Sequence, residues 1–294
     1  MTIAIKSRNC KFCLVFEERM PDVIQLEEGR SAFGLNSQGY DNARPDYPPR
    51  IYEILREHCP ALPSARIFEI GAGTGQATAP LLALGSTMTA IEPDARLAAV
   101  LGARLRHYNQ SFTILQTSFE ECSLPSGGFD LGVAATAFHW FRQDSALAKV
   151  FRLLRAGGMW AMWWTVFGDP ADMDPFQRRT QTLFRGLSRS PSHAVGSSRP
   201  FALNRDVRIA ELQAAGFNNV TYEEIRWSTT LTTRQVVDLT ATFSPVSRLP
   251  EAERTRFLND IQRIADAEFS GMVPRNFVTA IYLGRKPETL SEVS

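Results

Sequence analysis

Apolar and polar residues alternate along most of the chain in blocks that predict strands and helices in turn. Short apolar runs with the length of buried strands lie at 65–70, 87–91, 112–115, 129–134 and 159–166. Apolar residues at helical spacing lie around Ile51, Ile54 and Leu55, and over 77–84, 94–105 and 144–154. Strands that alternate with helices in this way predict a parallel sheet covered on both faces.

The pattern changes after Val166. Residues 168–200 are rich in Arg, Ser, Pro and Asp, with one amphipathic stretch around Phe176, Leu183 and Phe184. This composition predicts a surface insertion, with 188–200 as its flexible part. Beyond it, the periodicity predicts helices at 206–215, 233–242 and 250–269, and strands at 220–230 and 277–283. The two additional strands bring the predicted sheet to seven.

Composition and charge narrow the class of protein. The chain has 294 residues, 44% of them hydrophobic, and 32 Lys and Arg against 31 Asp and Glu, a net charge of +1. These values are typical of a globular protein and argue against a nucleic-acid binder, which would need a basic surface. No run of 18 apolar residues exists, and the apolar stretch at 13–16 is too short for a signal peptide. We therefore expect a soluble cytoplasmic protein with no membrane partner.

The cysteines predict neither disulfides nor a metal. Cys10 and Cys13 have the spacing of half a zinc site, but no second Cys pair or His pair completes four ligands. Four cysteines, with Cys59 and Cys122 as the other two, do not make a disulfide framework in a chain of 294 residues.

The strongest local signal is a glycine turn after the first predicted strand. Gly71, Gly73 and Gly75 follow the apolar run and precede a helix, so the backbone can press against a ligand. A dinucleotide fold would require glycine where Gln76 stands, so a nicotinamide oxidoreductase is disfavoured. Glu92 ends the second strand, where an acidic side chain can accept hydrogen bonds from ribose hydroxyls. Together the two features predict a ribose-bearing cofactor.

Two further stretches lie at carboxyl ends of strands, where α/β folds bind ligands. Ser118-Phe119-Glu120 follows the third strand, and an apolar ring there could pack on an adenine. His139 follows the fourth strand, within Phe138-His139-Trp140. At that place a structural and a functional role for His139 are equally open.

The ordered set of motifs resembles the class I S-adenosylmethionine-dependent methyltransferases, most closely the small-molecule group that includes trans-aconitate methyltransferase. The resemblance covers about 33–286 and is carried by the glycine turn, Glu92-Pro93, Phe119-Glu120, Phe138-His139-Trp140, 154–158 and an upstream stretch at 40–48. It implies a doubly wound, mostly parallel, Rossmann-like sheet with a helical lid. The implied parts are an extension (1–32), a cofactor-binding core (33–167), an insertion or substrate lid (168–205), a C-terminal part of the sheet with substrate-capping helices (206–286) and a tail (287–294).

The resemblance also implies roles at the methionine end of the cofactor. Three residues of the glycine turn would line the methionyl part: Gly71, Ala72 and Gly73. Gln76 would stand at the start of the following helix. Tyr40 and Arg44 would close over the cofactor, with Arg44 pairing with its carboxylate.

At the other end, Glu92 would take the ribose hydroxyls and Pro93 would pack beside the adenine. Ser118 and Phe119 would border the adenine, although many relatives have Asp at the position of Ser118, which weakens the expected hydrogen bond to the adenine amino group. The sulfonium would lie near two residues after the fourth strand, Thr136 and Ala137.

The implied activity is methyl transfer from S-adenosylmethionine to a small molecule, with S-adenosylhomocysteine as product. Carboxylate and hydroxyl acceptors are favoured, with Tyr47 and Trp140 as substrate contacts. His139 would take a proton from the acceptor or orient it. The chain is expected to be a monomer or homodimer.

Three alternatives remain. One is an enzyme of this fold that uses the cofactor for C-methylation or for a cyclisation without methyl transfer. A nucleic-acid methyltransferase is disfavoured, because an amino-methylating one would show an Asp/Asn-Pro-Pro-aromatic turn where 135–138 read Ala-Thr-Ala-Phe. A pure interaction module is disfavoured by the number of cofactor-site features.

Overall fold

The computed structural model describes residues 44–187 and 199–288. The predictions for Tyr40, for Cys10 and Cys13, and for the extension 1–32 lie outside the described residues. So does most of the insertion's predicted flexible part.

Seven strands form one sheet in the described chain, as the periodicity predicts. The strands are β1 (Arg66–Ile70), β2 (Thr87–Ile91), β3 (Phe112–Leu115), β4 (Phe129–Ala135), β5 (Leu154–Val166), β6 (Asn218–Thr232) and β7 (Met272–Arg285). Their order across the sheet is β3-β2-β1-β4-β5-β7-β6. β7 runs antiparallel to both of its neighbours, and the other pairs are parallel. The strands β2 and β3 are added on one side of β1, and β4 and β5 on the other, so the strand order reverses between β1 and β4. Ligand-binding loops gather at the carboxyl ends of these two parallel strands.

The helices cover both faces of this sheet. They are α1 (Arg50–His58), α2 (Thr78–Ala83), α3 (Ala95–Leu105), α4 (Gln143–Leu153), α5 (Pro175–Thr180), α6 (Arg205–Ala214), α7 (Thr233–Ala241), α8 (Ser244–Ser247) and α9 (Glu251–Phe269). Asp94 caps α3, because its carboxylate accepts hydrogen bonds from the Arg96 and Leu97 amides. The helical spacing over 94–105 corresponds to a buried face of α3 at Leu97, Leu101 and Leu105.

The core consists of two apolar layers, one on each face of the sheet. Alternation along β5 places Trp160 and Trp164 in the layer under α4 and α6, and Trp163 in the layer under α1 and α2. All three indole rings are buried, which confirms that this strand is covered on both faces.

Three strands are longer than the hydrophobic pattern predicts. β5 begins at Leu154 rather than Met159, since Leu154 pairs with Phe129 across an irregularity that shifts the register before Met159 meets Leu131. β6 and β7 pair over their whole lengths, including the polar end of β7 at Arg275. Backbone pairing continues at the ends of these strands although the apolar alternation has ended. The periodicity alone therefore underestimates the lengths of the strands.

A third apolar cluster lies beyond the sheet and contains the predicted amphipathic stretch. Phe176 of α5 is buried in it, against residues of α7 and α9 such as Leu239 and Ile264, and Leu183 and Phe184 pack on its side. We call this the cap cluster; its other buried members are Leu231, Val236, Ile261, Ala265, Val273 and Phe277.

A buried ion pair attaches the start of the insertion to β7. Arg275 Nε lies 3.0 Å from Asp174 Oδ2, and both side chains are buried. Asp174 also caps α5 by accepting a hydrogen bond from the Gln177 amide. One carboxylate therefore joins α5 to the sheet.

Within 44–187 and 199–288, no helix is long and apolar enough to cross a membrane.

Candidate active site

The glycine turn follows β1 and is held against the loop after β4. Gly71 and Gly73 have φ angles of +67° and +59°, a region that favours glycine. A Cβ on Gly71 would lie 2.6 Å from the Ala137 Cβ, whereas one on Gly73 would meet nothing within 4 Å. Gly71 thus lets two loops touch, and Gly73 leaves open space beside the turn.

Glu92 lies beside this turn, as predicted. Its Oε2 accepts a hydrogen bond from the Gly73 amide at 2.8 Å, and its Oε1 accepts one from the Asp94 amide at 2.9 Å. Burial raises the pKa of the carboxyl, while the two backbone N–H groups favour its charged form. Each oxygen keeps a second lone pair, so the fixed carboxylate can accept further hydrogen bonds.

A cleft at the carboxyl ends of the strands has two compartments. The outer one, of about 730 Å³, is lined by Ile70, Gly71, Gly73, Ile91, Glu92, Pro93, Leu97, Ser118, Phe119, Glu120, Ala135, Thr136, Ala137, Trp140 and Phe141. The predicted ribose, adenine and sulfonium residues therefore lie in one compartment. Trp140 lines it too, although it was predicted to contact the substrate.

The outer wall beyond Glu92 is a single turn formed by 118–122. Ser118 Oγ donates a hydrogen bond to Glu121 Oε2 at 2.9 Å and accepts one from the Glu121 amide at 3.2 Å. Ser118 therefore caps its own turn. The Phe119 ring stacks on Phe68 with centroids 6.4 Å apart, and Phe68 belongs to the core.

The inner compartment, of about 480 Å³, shares part of its wall with the outer one. It is lined by Arg44, Pro45, Tyr47, Glu69, Gly71, Ala72, Gly73, Gln76, Ala77, Ala135, Thr136, Thr165 and Phe167. The predicted methionine-end residues from the described chain lie here, together with Tyr47, which was predicted to contact the substrate.

A pair of hydroxyl groups stands in the wall of the inner compartment. The Tyr47 hydroxyl lies 2.9 Å from Thr136 Oγ1, within hydrogen-bonding distance. Thr136 has a φ angle of 55°, an uncommon conformation for a β-branched residue and one that is concentrated at functional sites. The Tyr47 ring packs edge-on against Trp163, which fixes the position of its hydroxyl.

Arg44 closes the inner compartment on the side of Phe167. Its guanidinium carbon lies 5.2 Å from the Phe167 ring centroid, and its Nε donates a hydrogen bond to Thr242 Oγ1 at 3.3 Å. The Arg44 guanidinium, from the segment before α1, thus contacts an aromatic ring that packs against the cap cluster.

Glu69 is a residue of the inner compartment that the sequence analysis missed. It is buried, accepts a hydrogen bond from Thr78 Oγ1 at 2.6 Å, and has a pKa that burial raises to about 8. The available signal was a carboxylate in the middle of an apolar strand, two residues before Gly71. Thr165 and Phe167 were missed as well, because nothing in the chain around them indicates a ligand.

His139 is not among the residues that line the two compartments, although it was predicted to face the crevice. The chain leaves β4 through Thr136 and enters a 3₁₀ turn at Phe138–Trp140, and this turns the imidazole toward β5. There it is buried, and Nδ1 accepts a hydrogen bond from Trp164 Nε1 at 3.0 Å. His139 lines neither compartment.

The described residues fit S-adenosylmethionine. Gly73 leaves open space beside the turn, Glu92 would be a fixed acceptor for ribose hydroxyls, and the outer compartment would be an apolar site for a base. In the inner compartment, Arg44 would supply a positive charge and Glu69 a hydrogen-bonding carboxyl group for an amino-acid end.

Comparison with known proteins agrees with this fit. Residues 68–162 match the family of the methyltransferase domain. The chain is 28% identical to an uncharacterized methyltransferase of Mycobacterium tuberculosis strain H37Rv, over 79% of this chain and 85% of that protein.

Two solved structures share the fold. A putative type II methyltransferase from Anaeromyxobacter dehalogenans has a TM-score of 0.60 at 21% identity, over 84% of this chain and 99% of that one. Phosphoethanolamine N-methyltransferase 2 from Haemonchus contortus, solved with S-adenosylhomocysteine, has a TM-score of 0.53 at 13% identity, over 90% of this chain and 61% of that one.

Proposed function

We propose that this chain, an S-adenosylmethionine-dependent methyltransferase with the class I fold, methylates an oxygen atom of a small molecule, most readily a carboxylate. The observation that carries the proposal is the inner compartment. Tyr47 and Thr136 bring two hydroxyl groups to its lining, together with the guanidinium of Arg44.

When bound, the cofactor supplies a methyl group on a positively charged sulfur, which a nucleophile can displace in line. The protein then mainly has to align the acceptor, and such positioning is worth about 7–11 kcal/mol. Tyr47 and Thr136 are suited to this task, because their hydroxyls can donate hydrogen bonds to an acceptor oxygen and hold its orientation.

The surroundings of the acceptor favour a group that arrives as an anion. Among the described residues that line the inner compartment, none is a histidine or lysine. Glu69, with a pKa of about 8, is mostly protonated at neutral pH and is a poor proton acceptor there. A carboxylate needs no base, and the positive charge of Arg44 would attract it.

An isotope-transfer assay tests this function. The protein is incubated with S-adenosylmethionine carrying a labelled methyl group and with separate pools of small carboxylic acids, phenols, transfer RNA and denatured proteins. We expect label in the carboxylic acid pool, released as methanol by mild alkali because a methyl ester hydrolyses and an ether does not. Label confined to RNA or protein would overturn the small-molecule proposal, and alkali-stable label would overturn the carboxylate.

The Glu92→Ala variant provides the control for the cofactor site. Removing the carboxylate should weaken S-adenosylhomocysteine binding at least about tenfold in calorimetry, since charged hydrogen bonds contribute about 1.5–3 kcal/mol each. Unchanged affinity in Glu92→Ala would show that the ribose is held elsewhere, whatever the acceptor is.

A further inference from the structure

Lys149 of α4 makes an unusual set of contacts behind the outer compartment. Its Nζ donates hydrogen bonds to the backbone carbonyls of Phe119 at 2.6 Å, Glu120 at 3.1 Å and Cys122 at 2.7 Å. An ammonium group has three N–H donors, and here each meets a different carbonyl oxygen. The same Nζ lies 5.0 Å from the centroid of the Phe119 ring.

These carbonyls belong to the turn 118–122, which forms the outer wall of the cleft. The turn closes with a hydrogen bond from the Cys122 amide to the Ser118 carbonyl at 2.9 Å. The Phe119 carbonyl also accepts a hydrogen bond from Cys122 Sγ at 3.3 Å, and a cation is favourable at the carbonyl end of such a turn. Lys149 therefore joins the turn to α4, although Lys149 itself does not line the cleft.

We propose that Lys149 is a positioning residue for cofactor binding. By holding three carbonyls at once, its ammonium fixes the turn whose Ser118, Phe119 and Glu120 form the adenine side of the outer compartment. The Ser118 hydroxyl is engaged with Glu121, so the shape of this wall, rather than a carboxylate at 118, sets the contact with the base. The proposal concerns cofactor affinity and is independent of which acceptor is methylated.

The chain offers a matched control in Lys286. Its Nζ donates hydrogen bonds to the Phe151 and Leu154 carbonyls, both at 2.8 Å, and lies 4.8 Å from the Phe151 ring centroid. The chemistry is the same as at Lys149, since an ammonium caps carbonyls beside an aromatic ring. Lys286 binds carbonyls at the carboxyl end of α4, and it lines neither compartment.

The test compares Lys149→Met with Lys286→Met by calorimetry, without any acceptor. For Lys149→Met we expect the affinities for S-adenosylhomocysteine and for adenosine to fall by the same factor, about tenfold or more. For Lys286→Met we expect both affinities to stay within about twofold of the parent, even where the melting temperature falls. In a separate assay with a methyl acceptor, the rate at saturating S-adenosylmethionine should be unchanged in both variants, because the methionine end is not touched.

Other outcomes would overturn the proposal. Parental affinity in Lys149→Met would show that the turn holds its shape without the ammonium. Equal losses of affinity in the two variants would show a general effect of stability. A loss for S-adenosylhomocysteine that is absent for adenosine would place the effect away from the base.

Lys149→Arg keeps the experiment decisive if the methionine variant does not fold. A planar guanidinium keeps the charge but cannot direct three N–H groups at three carbonyls around one point. We expect a partial loss of affinity for adenosine at an unchanged melting temperature, and parental affinity would contradict the proposal.

Discussion

The two compartments of the cleft are built in different ways. The lining of the outer one comes from the continuous stretch 70–141, through the turns after β1, β2, β3 and β4. The inner one adds residues from before α1 and from the end of β5, such as Tyr47 and Phe167. The lining of the outer compartment is largely apolar, whereas that of the inner one contains the ionisable side chains of Glu69 and Arg44.

This difference follows from what each compartment has to recognise. A ribose and a base can be met by short turns on consecutive strands, each stabilised by bonds to its own strand or to a neighbouring helix. The inner compartment depends on segments that are distant in the chain, and Phe167 in its lining packs against the cap cluster. We therefore expect changes in the cap to affect the acceptor more than the cofactor.

The largest expected effect comes from the buried ion pair that attaches α5 to β7. Arg275→Met would leave the Asp174 carboxylate buried without its partner, which costs about 3–5 kcal/mol in the free energy of unfolding. Arg275 Nη2 also donates a hydrogen bond to the Phe167 carbonyl at 3.2 Å, so the inner wall should shift. Urea unfolding measures the first effect. The KM of the acceptor should rise by a larger factor than the affinity for S-adenosylhomocysteine falls, because only the methionine end of the cofactor reaches the inner compartment.

Arg179→Met is the control for this prediction. Arg179 pairs with Glu268 at 2.8 Å, but the two side chains are 48% and 40% exposed. An exposed pair contributes less than about 1 kcal/mol, so the unfolding free energy should change little. Equal losses of stability in the two variants would contradict the importance of burial for the Arg275–Asp174 pair. Equal losses of cofactor and acceptor affinity in Arg275→Met would contradict the expectation that the cap affects the acceptor more than the cofactor.

The second prediction concerns the charge of Glu69 in the inner compartment. The pKa of this carboxyl is about 8 in the folded chain and 4.5 ordinarily, so between these values the folded state binds more protons. The free energy of unfolding therefore contains a contribution that is fully present below pH 4.5 and is lost as the pH rises to 8, at up to about 1.4 kcal/mol per pH unit. Glu69→Gln removes this dependence.

Urea unfolding of Glu69→Gln and of the parent at pH 5, 6.5 and 8 measures this pH-dependent contribution to the free energy of unfolding. The variant should gain stability relative to the parent as the pH rises. Glu92→Gln is the outer counterpart and should show a smaller gain, because two backbone N–H groups favour the charged form of Glu92. A constant difference between Glu69→Gln and the parent would contradict the raised pKa.

The smallest expected effect is that of a single hydroxyl group. Tyr47→Phe keeps the ring against Trp163 and removes the hydrogen bond to Thr136. We expect kcat/KM for the acceptor to fall about three- to tenfold, in line with about 0.5–1.5 kcal/mol for one hydrogen bond, at unchanged S-adenosylhomocysteine affinity. Tyr52→Phe, which loses a hydroxyl bonded to the Gln76 carbonyl, is the control and should leave kcat/KM near the parental value. An equal fall in both variants would assign no special role to Tyr47.

Glu92 and His139 differ in how well the sequence predicts where the side chain lies in the structure. Glu92 directly follows a buried strand, and the strand fixes where the next side chain lies, so its place beside Gly73 was predictable. His139 comes four residues after β4 ends. After β4 the chain passes through the left-handed conformation of Thr136 and enters the 3₁₀ turn that contains His139. This turn directs the imidazole to Trp164.

The sequence by itself determined the alternation of strands and helices, the glycine turn and the acidic residue after β2. These features depend on spacing and on residues adjacent in the chain, which local backbone geometry controls. Only the tertiary structure decided that Tyr47 meets Thr136, that Arg44 lies under Phe167 and that Lys149 holds the turn at 118–122. Such contacts join segments about 30 to 120 residues apart, and they form only when the packing of the sheet and its helices brings those segments together.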